Sequence, residues 1–504
     1  MLLACSRRGA ESSASAPNEA KRRATDVPSV AVMATSLAVD AGAPPGGSTE
    51  SSAAADAPPE LPAPASPSVS ERAANPADRS AEALALDGLD VTRMRIDNGA
   101  ATAPLSGGRT ARLSIDPTLQ RVALSVMRKY RVPEAAVVLM DVATGKVLVY
   151  ASHVQSGERR DLCAEATAPA ASVFKVVTAS ALVEQAGLQA DHRQCYSGGE
   201  HRITAGDLVP NPRRDRTCDT LAGAMGHSIN TIFARLSVAH LRPEELEAQA
   251  RAFAFGGPFD FDVPVQASAL RVPTEKLEFA RTSAGFWNTT LSPVHAAWLS
   301  ATIARGGEAV RPTLVSDVVS SDGGVQSASL FRAAPGGASR RVIRPATAKA
   351  VSTMMETTVT EGTSARAFRA PGGESFLPNV PVAGKTGTLT DASKNKYYTW
   401  FTGFTPSRAD AATSVPRVAI GALVVNRASW TIKANVLARE VLRAYFAQHH
   451  APGVTMPRAA AESDDNRSVT ARERDEVARG RHDERGTHHL STTPVTKHRR
   501  QRGS

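Results

Sequence analysis

Pro169-Ala170-Ala171-Ser172-Val173-Phe174-Lys175-Val176-Val177-Thr178-Ala179-Ser180-Ala181-Leu182-Val183 reads as the start of a buried helix, with one serine and one lysine three residues apart. At that spacing two side chains share a helix face one turn apart, so Lys175 can reach the Ser172 hydroxyl. A serine without a histidine partner needs such a base to become a nucleophile. The residues after Lys175 are nearly all apolar or small, which sends the helix through a core. A lysine at the mouth of such a helix loses hydration, and its pKa falls until a proton-accepting amine is available. Spacing alone proves little. Ser393-Lys394-Asn395-Lys396 also fits Ser-x-x-Lys, in a polar turn with nothing to desolvate a lysine.

Outward from this helix the chain divides by composition. Residues 1–107 are rich in Ala, Pro, Ser and Gly and cannot bury enough apolar surface to offset the cost of ordering. They are expected to be flexible, with 84–96 the most orderable piece. Residues 450–504 mix Arg, Asp, Glu and His and are expected to form a solvated tail. The histidines there, His482, His488, His489 and His498, have no spacing that gives a metal its geometry.

The segment between, 108–449, carries the periodic elements. Asp116-Pro117 starts a helix, with Asp as N-cap and Pro at the first position. Two apolar runs, 135–140 and 147–152, flank a Gly-containing turn and read as a β-hairpin. Helices are expected over 220–239, 293–305 and 345–359, then strands over 381–390, 397–404 and 417–425. An amphipathic helix over 433–447 ends the segment. Strands at both ends with helices between them make one α+β domain closed by its own termini.

The net charge is +10, but no basic stripe is interleaved with aromatics, so no nucleic-acid partner is expected. A solvated basic surface near anionic envelope polymers fits better. Cys5, Cys163, Cys195 and Cys218 form neither a CxxC pair nor a zinc spacing, and neither metal nor cofactor is expected. Cys195 and Cys218 bracket a polar loop; a disulfide and two buried thiols both fit. Cys163 is read as structural, and Trp287, Trp298, Trp400 and Phe404 as core packing. No run of about 18 apolar residues suggests a transmembrane helix. Lys21-Arg22-Arg23 ahead of the weakly apolar 27–39 has the order of a secretory signal. Leu2-Leu3-Ala4-Cys5 reads either as the end of a lipoprotein signal, with Cys5 the anchor, or as coincidence.

Two further motifs give the first one a context. Ser228-Ile229-Asn230 comes 56 residues after Ser172, past a loop, and Lys385-Thr386-Gly387 comes 157 residues later and opens a strand. Each has a plain alternative: a lysine capping a helix in a salt bridge, an ordinary helix N-terminus, an edge strand. In this order and these settings they resemble the penicillin-binding proteins, acyl-serine transferases that also include serine β-lactamases. Ser114-Ile115-Asp116-Pro117-Thr118-Leu119-Gln120, Leu291-Ser292-Pro293, Glu361-Gly362-Thr363 and Trp400-Phe401-Thr402-Gly403-Phe404 resemble that family too. The resemblance covers about 110–447.

It implies a penicillin-binding transpeptidase or β-lactamase-like fold, with an antiparallel sheet from both domain ends and an inserted helical region. It also implies roles. Ser172 is the expected nucleophile, Lys175 its base, and Ser228 a bridge between Lys175 and Lys385. Asn230, Thr386, Gly387 and Thr388 are expected to bind substrate, with the backbone N–H groups of Ser172 and Thr388 as oxyanion hole. The implied substrate is a peptidoglycan stem peptide ending in D-Ala-D-Ala, with β-lactams as inhibitors. The implied setting is the cell envelope, periplasmic, with envelope-protein or membrane partners. One departure stands out: Ala171 occupies a position where the family commonly has glycine. A D,D-transpeptidase leads, with a D,D-carboxypeptidase and a serine β-lactamase as enzyme alternatives and a sensor or scaffold as the non-enzyme one.

Overall fold

The computed structural model describes residues 85–199, 202–330, 340–408, 415–427 and 430–457. The leader motifs, Cys5 and the tail histidines lie outside them.

Pairing starts earlier than composition predicts. Asn98-Gly99 is a strong two-residue hairpin signal. Both residues have positive φ, 48° and 78°, and they join β1 (Arg95–Asp97) to β2 (Ala100–Pro104). β2 then pairs with β3 (Thr110–Leu113). The stretch 95–104, expected to be flexible, is thus drawn into a sheet by a turn and by the buried methyls of Ala101 and Ala103.

α1 (Pro117–Lys129) starts where the Asp-Pro pair predicts: Asp116 Oδ1 accepts the N–H groups of Thr118 and Leu119 at 2.8 and 3.0 Å. β4 (Glu134–Asp141) and β5 (Val147–Val154) form the expected hairpin. β6 (Ala168–Pro169) leads through a 3-10 turn, Ala171–Phe174, into α2 (Lys175–Ala186). A helical region follows. It holds the ribbon of β7 (Arg193–Tyr196) and β8 (Thr217–Thr220), then α3 (Leu221–His227), α4 (Asn230–His240), α5 (Pro243–Ala252) and α6 (Lys276–Ser283). β9 (Thr290–Leu291) pairs with β6 and precedes α7 (Pro293–Ala304). β10 (Val315–Val319) and β11 (Val325–Ser327) complete a small sheet of order β1-β2-β3-β10-β11. After α8 (Pro345–Thr360) come β12 (Ala383–Asp391), β13 (Lys396–Thr405), β14 (Val418–Asn426) and α9 (Ala434–Gln448).

The main sheet has the order β12-β13-β14-β4-β5 and is antiparallel throughout. Strands from both domain ends build it, with the helices between them in sequence, as the α+β reading expects. Ala136, Val138 and Met140 of β4 enter the core shared with α2 and α7. Ala135, Val137 and Leu139 enter the core shared with α1 and α9. The period of two divides them, and burial on both faces makes these strands read as unbroken apolar runs. α7 is buried along its whole length, so it has no polar face to show. Trp298, Trp400 and Phe404 pack in the core, whereas Trp287 is half-buried at φ 33° in the turn before β9. Cys195 and Cys218 are joined by a disulfide, and Cys163 is a buried thiol. Among the described residues no helix is long and apolar enough to cross a membrane.

Candidate active site

Three segments meet at one end of α2. The first is the turn before it. The chain does not run as a regular helix from Pro169: Ala168 and Pro169 belong to β6, and Ala171 takes a left-handed φ of 49°. That conformation costs an alanine about 1–2 kcal/mol, and it places Ser172 on the 3-10 turn, half-buried. Gly285 backs the turn so closely that a Cβ there would stand 2.4 Å from the Ala171 carbonyl oxygen. Lys175, the first residue of α2, is fully buried. Its Nζ lies 2.8 Å from Ser172 Oγ, 2.7 Å from Asn230 Oδ1 and 2.6 Å from the Ala284 carbonyl oxygen at the end of α6.

The second segment is the break between α3 and α4, where the sequence predicts continuous helix. Ser228 caps α3 in the left-handed region, φ 61° and ψ 36°, a position more often held by glycine. Its N–H donates to the Met225 carbonyl at 3.3 Å, and that of Ile229 to Ala224 at 2.9 Å. The chain then restarts as α4 at Asn230. This reversal is what aims the two side chains at different lysines: Asn230 at Lys175, and Ser228 at Lys385.

The third segment is β12, an edge strand of the main sheet. Lys385 is fully buried, and its Nζ donates to Ser228 Oγ at 2.9 Å and to the Thr386 carbonyl at 2.8 Å. Thr386 Oγ1 is 2.6 Å from Thr363 Oγ1. β12 lies flat against the serine turn: a Cβ on Gly387 would be 3.2 Å from the Ala171 Cβ and 3.4 Å from the Ala170 carbonyl oxygen. Behind it, the Trp400 indole N–H donates to the Pro169 carbonyl at 2.9 Å and ties β13 to β6. Thr388, next along β12, is exposed.

The two lysines have no carboxylate partner among these contacts. Burial pushes Lys175 well below the usual lysine range, and the charge of Lys385 pushes it further. Burial alone brings Lys385 down to about 7. A neutral Lys175 amine has two N–H groups and one lone pair. Asn230 Oδ1 and the Ala284 carbonyl can only accept, so they take both N–H groups. Ser172 is the one partner able to donate, and the lone pair is left facing its hydroxyl.

The sequence-predicted residues therefore fall into two clusters, Ser172–Lys175–Asn230 and Ser228–Lys385–Thr386, with Gly387 the point of β12 that faces the serine turn. Ser228, expected to bridge both lysines, contacts Lys385. The hydrogen-bond partners of Lys175 among the described residues are Ser172, Asn230 and Ala284, and its Nζ stands 5.7 Å from the centre of the Phe233 ring. The Ala284 carbonyl was not foreseen, and a backbone group leaves no mark in a sequence. Thr363, in Glu361-Gly362-Thr363, meets the Thr386 hydroxyl, a contact that its motif does not signal.

An antiparallel sheet with an inserted helical region thus brings a serine and a buried lysine together beside an edge strand. The family of the penicillin binding protein transpeptidase domain matches residues 135–438, and the chain belongs to that family. The peptidoglycan D,D-transpeptidase PbpA of Mycobacterium tuberculosis is 25% identical over 360 residues, which cover 62% of this chain and 67% of the relative. Among solved structures, the D,D-transpeptidase domain of the peptidoglycan glycosyltransferase from Eggerthella lenta superposes with a TM-score of 0.54. It is 23% identical and covers 69% of this chain and 85% of the other. Penicillin binding protein 3 from Mycobacterium tuberculosis, solved with ampicillin, gives 0.56 at 20% identity, covering 75% and 91%.

Proposed function

We propose that this chain is a serine-type D,D-transpeptidase of peptidoglycan, acting in the cell envelope on the periplasmic side and acylated by β-lactams at the same serine. The observation that carries this reading is the environment of Lys175: fully buried, without a carboxylate, and bound to two obligate acceptors and one serine. Lys175 takes the proton of Ser172, whose Oγ attacks the amide carbonyl between the two terminal D-Ala residues. The C–N bond breaks, D-Ala leaves as the amine, and an acyl-serine ester remains.

Ser228 holds a hydroxyl on Lys385 and relays a proton to the departing nitrogen. Asn230 orients the substrate amide as well as the base. Lys385, Thr386 and Thr388 receive the terminal carboxylate, and the bare face of Gly387 lets the peptide lie along β12. The N–H groups of Ser172 and Thr388 form the oxyanion hole, worth about 2.7–4 kcal/mol per donor in such sites. An amine from a second stem peptide then takes the acyl group.

The test is exchange on a small stem peptide. Incubated with a pentapeptide ending in D-Ala-D-Ala and excess D-amino acid, the wild type releases D-Ala and forms the exchanged peptide, and Ser172→Ala does neither. Release without exchange indicates the carboxypeptidase. Many turnovers of penicillin per chain, in place of a lasting adduct, contradict the reading in favour of a β-lactamase.

A further inference from the structure

Lys175 depends on two groups that are themselves held from outside the three motifs, and one loop holds both. Between β7 and β8 the described residues 197–199 and 202–216 belong to an excursion closed at its base by the Cys195–Cys218 disulfide. Where the excursion leaves β7, the Gly199 carbonyl accepts the Asn230 amide N–H at 3.1 Å, and the Gly198 carbonyl accepts the hydroxyl of buried Thr231 at 2.7 Å. These bonds fix which end of the Asn230 amide faces Lys175. With its nitrogen turned to that carbonyl, the Asn230 amide presents its oxygen, the acceptor end, to Lys175. Further along, the Ile203 carbonyl accepts from Arg281 Nε at 3.0 Å. Arg281 lies on α6, one turn before Ala284, whose carbonyl is the second acceptor of Lys175.

The excursion has its own internal strut. Arg235, on α4 with Asn230, is buried and meets Asp215 in a two-point ion pair, Nη1 to Oδ2 at 2.7 Å and Nη2 to Oδ1 at 3.2 Å. The same guanidinium donates to the Asp207 carbonyl at 2.6 Å and the Cys195 carbonyl at 2.9 Å. Asp215 also accepts from the Ser197 hydroxyl at 2.8 Å and the Asn211 N–H at 2.7 Å. Arg235 and these hydrogen bonds hold its carboxyl well below the usual carboxylate range. One charge pair thus gathers the two ends and the middle of the loop onto the helix that carries Asn230.

We propose that the disulfide-closed loop is a positioning element for the general base, with Arg235 and Asp215 as its positioning residues: it fixes the Asn230 oxygen and the Ala284 carbonyl, and so turns the Lys175 lone pair toward Ser172. This rests on the acyl-serine reading above, but its test has an arm that does not. In Cys195→Ser/Cys218→Ser the loop keeps its residues and loses its closure. In Arg235→Met/Asp215→Leu the pair is replaced by apolar side chains, a change that buried ion pairs commonly tolerate without unfolding. Circular dichroism and Tm identify the folded variants.

Two readouts follow: the second-order rate of acylation by a penicillin across pH, and the titration of Lys175 by NMR on ¹³C-lysine-labelled protein. Loosening the loop lets water reach Lys175, so its titration moves to higher pH, and the acid limb of the acylation profile moves with it. The acylation rate at neutral pH falls about 10- to 100-fold. A folded variant that loses Tm but keeps the wild-type titration and acylation rate overturns the proposal and leaves the loop a structural staple. If wild type is not acylated while Lys175 still shifts in the variants, the functional reading falls and the positioning role stands.

Discussion

Two segments of this chain fit Ser-x-x-Lys, and they sit in opposite surroundings. At 172–175 the lysine is fully buried, hydrogen-bonded only to neutral groups, and close enough to a second buried lysine to feel its charge. At 393–396 the serine turns back onto Asp391, with Oγ to Oδ1 at 2.6 Å, and Lys396 on β13 reaches Glu134 on β4 at 3.4 Å. One lysine is short of a counter-charge and the other has one. On the proposed mechanism that difference matters, because burial beside a cation lowers the pKa of Lys175 and favours its neutral amine. The pattern of residue types is shared; the surroundings decide.

Swapping lysine for arginine at both places sharpens the contrast most. Arginine keeps length and charge but cannot be deprotonated. Lys175→Arg is expected to lower the acylation rate about 10³-fold or more, within the range by which general bases accelerate reactions, while Lys396→Arg leaves it unchanged. Comparable activity in the two variants would remove Lys175 as the base.

Stability against pH gives the next largest effect. Lys385 has a folded-state pKa of about 7 against an ordinary value of 10.5. Its unfolded form therefore binds more protons between those values, and the native state gains stability as pH rises through that window. The full span is about 4–5 kcal/mol at 1.36 kcal/mol per unit. Denaturant midpoints of Lys385→Met should lose the Lys385 share of the slope between pH 7 and 10, keep the share that comes from burial of Lys175, and exceed wild type at the lower end.

The smallest effect concerns Ala171. At φ 49° the alanine is strained, and Ala171→Gly relieves about 1 kcal/mol of it, less the entropy a glycine adds to the unfolded chain. A Tm within a few degrees of wild type is expected, with acylation equal or faster. A marked slowing would mean that the Ala171 methyl, packed toward Gly387, helps to seat the serine turn.

The parts of this site that could be read in advance are those written in side chains. Ser172, Lys175, Ser228, Asn230 and Lys385 are rare enough in combination to be recognised, and the strands 135–140, 397–404 and 417–425 announce themselves by burial on both faces. The break at Ser228 was missed inside the helix expected over 220–239, although Gly226, Ser228 and Asn230 are poor helix formers and could have marked a helix end and restart there. A serine in the left-handed region becomes visible only when tertiary contacts impose it. The acceptors Ala284, Gly198 and Gly199 act through carbonyls that any residue possesses. The β1–β2 hairpin was hidden by a composition poor in strand formers, although its Asn98-Gly99 turn was there to be seen. The Cys195–Cys218 bond settles a pairing that spacing left open.

The central claim is that Ser172 is the nucleophile, and mass mapping of a penicillin adduct tests it most directly. Trypsin cuts after Arg160 and Lys175 and releases residues 161–175, in which Ser172 is the one serine. One adduct per chain, confined to that peptide and lost in Ser172→Ala, is the predicted result. An adduct on any other peptide, or equal labelling of Ser172→Ala, would contradict the account.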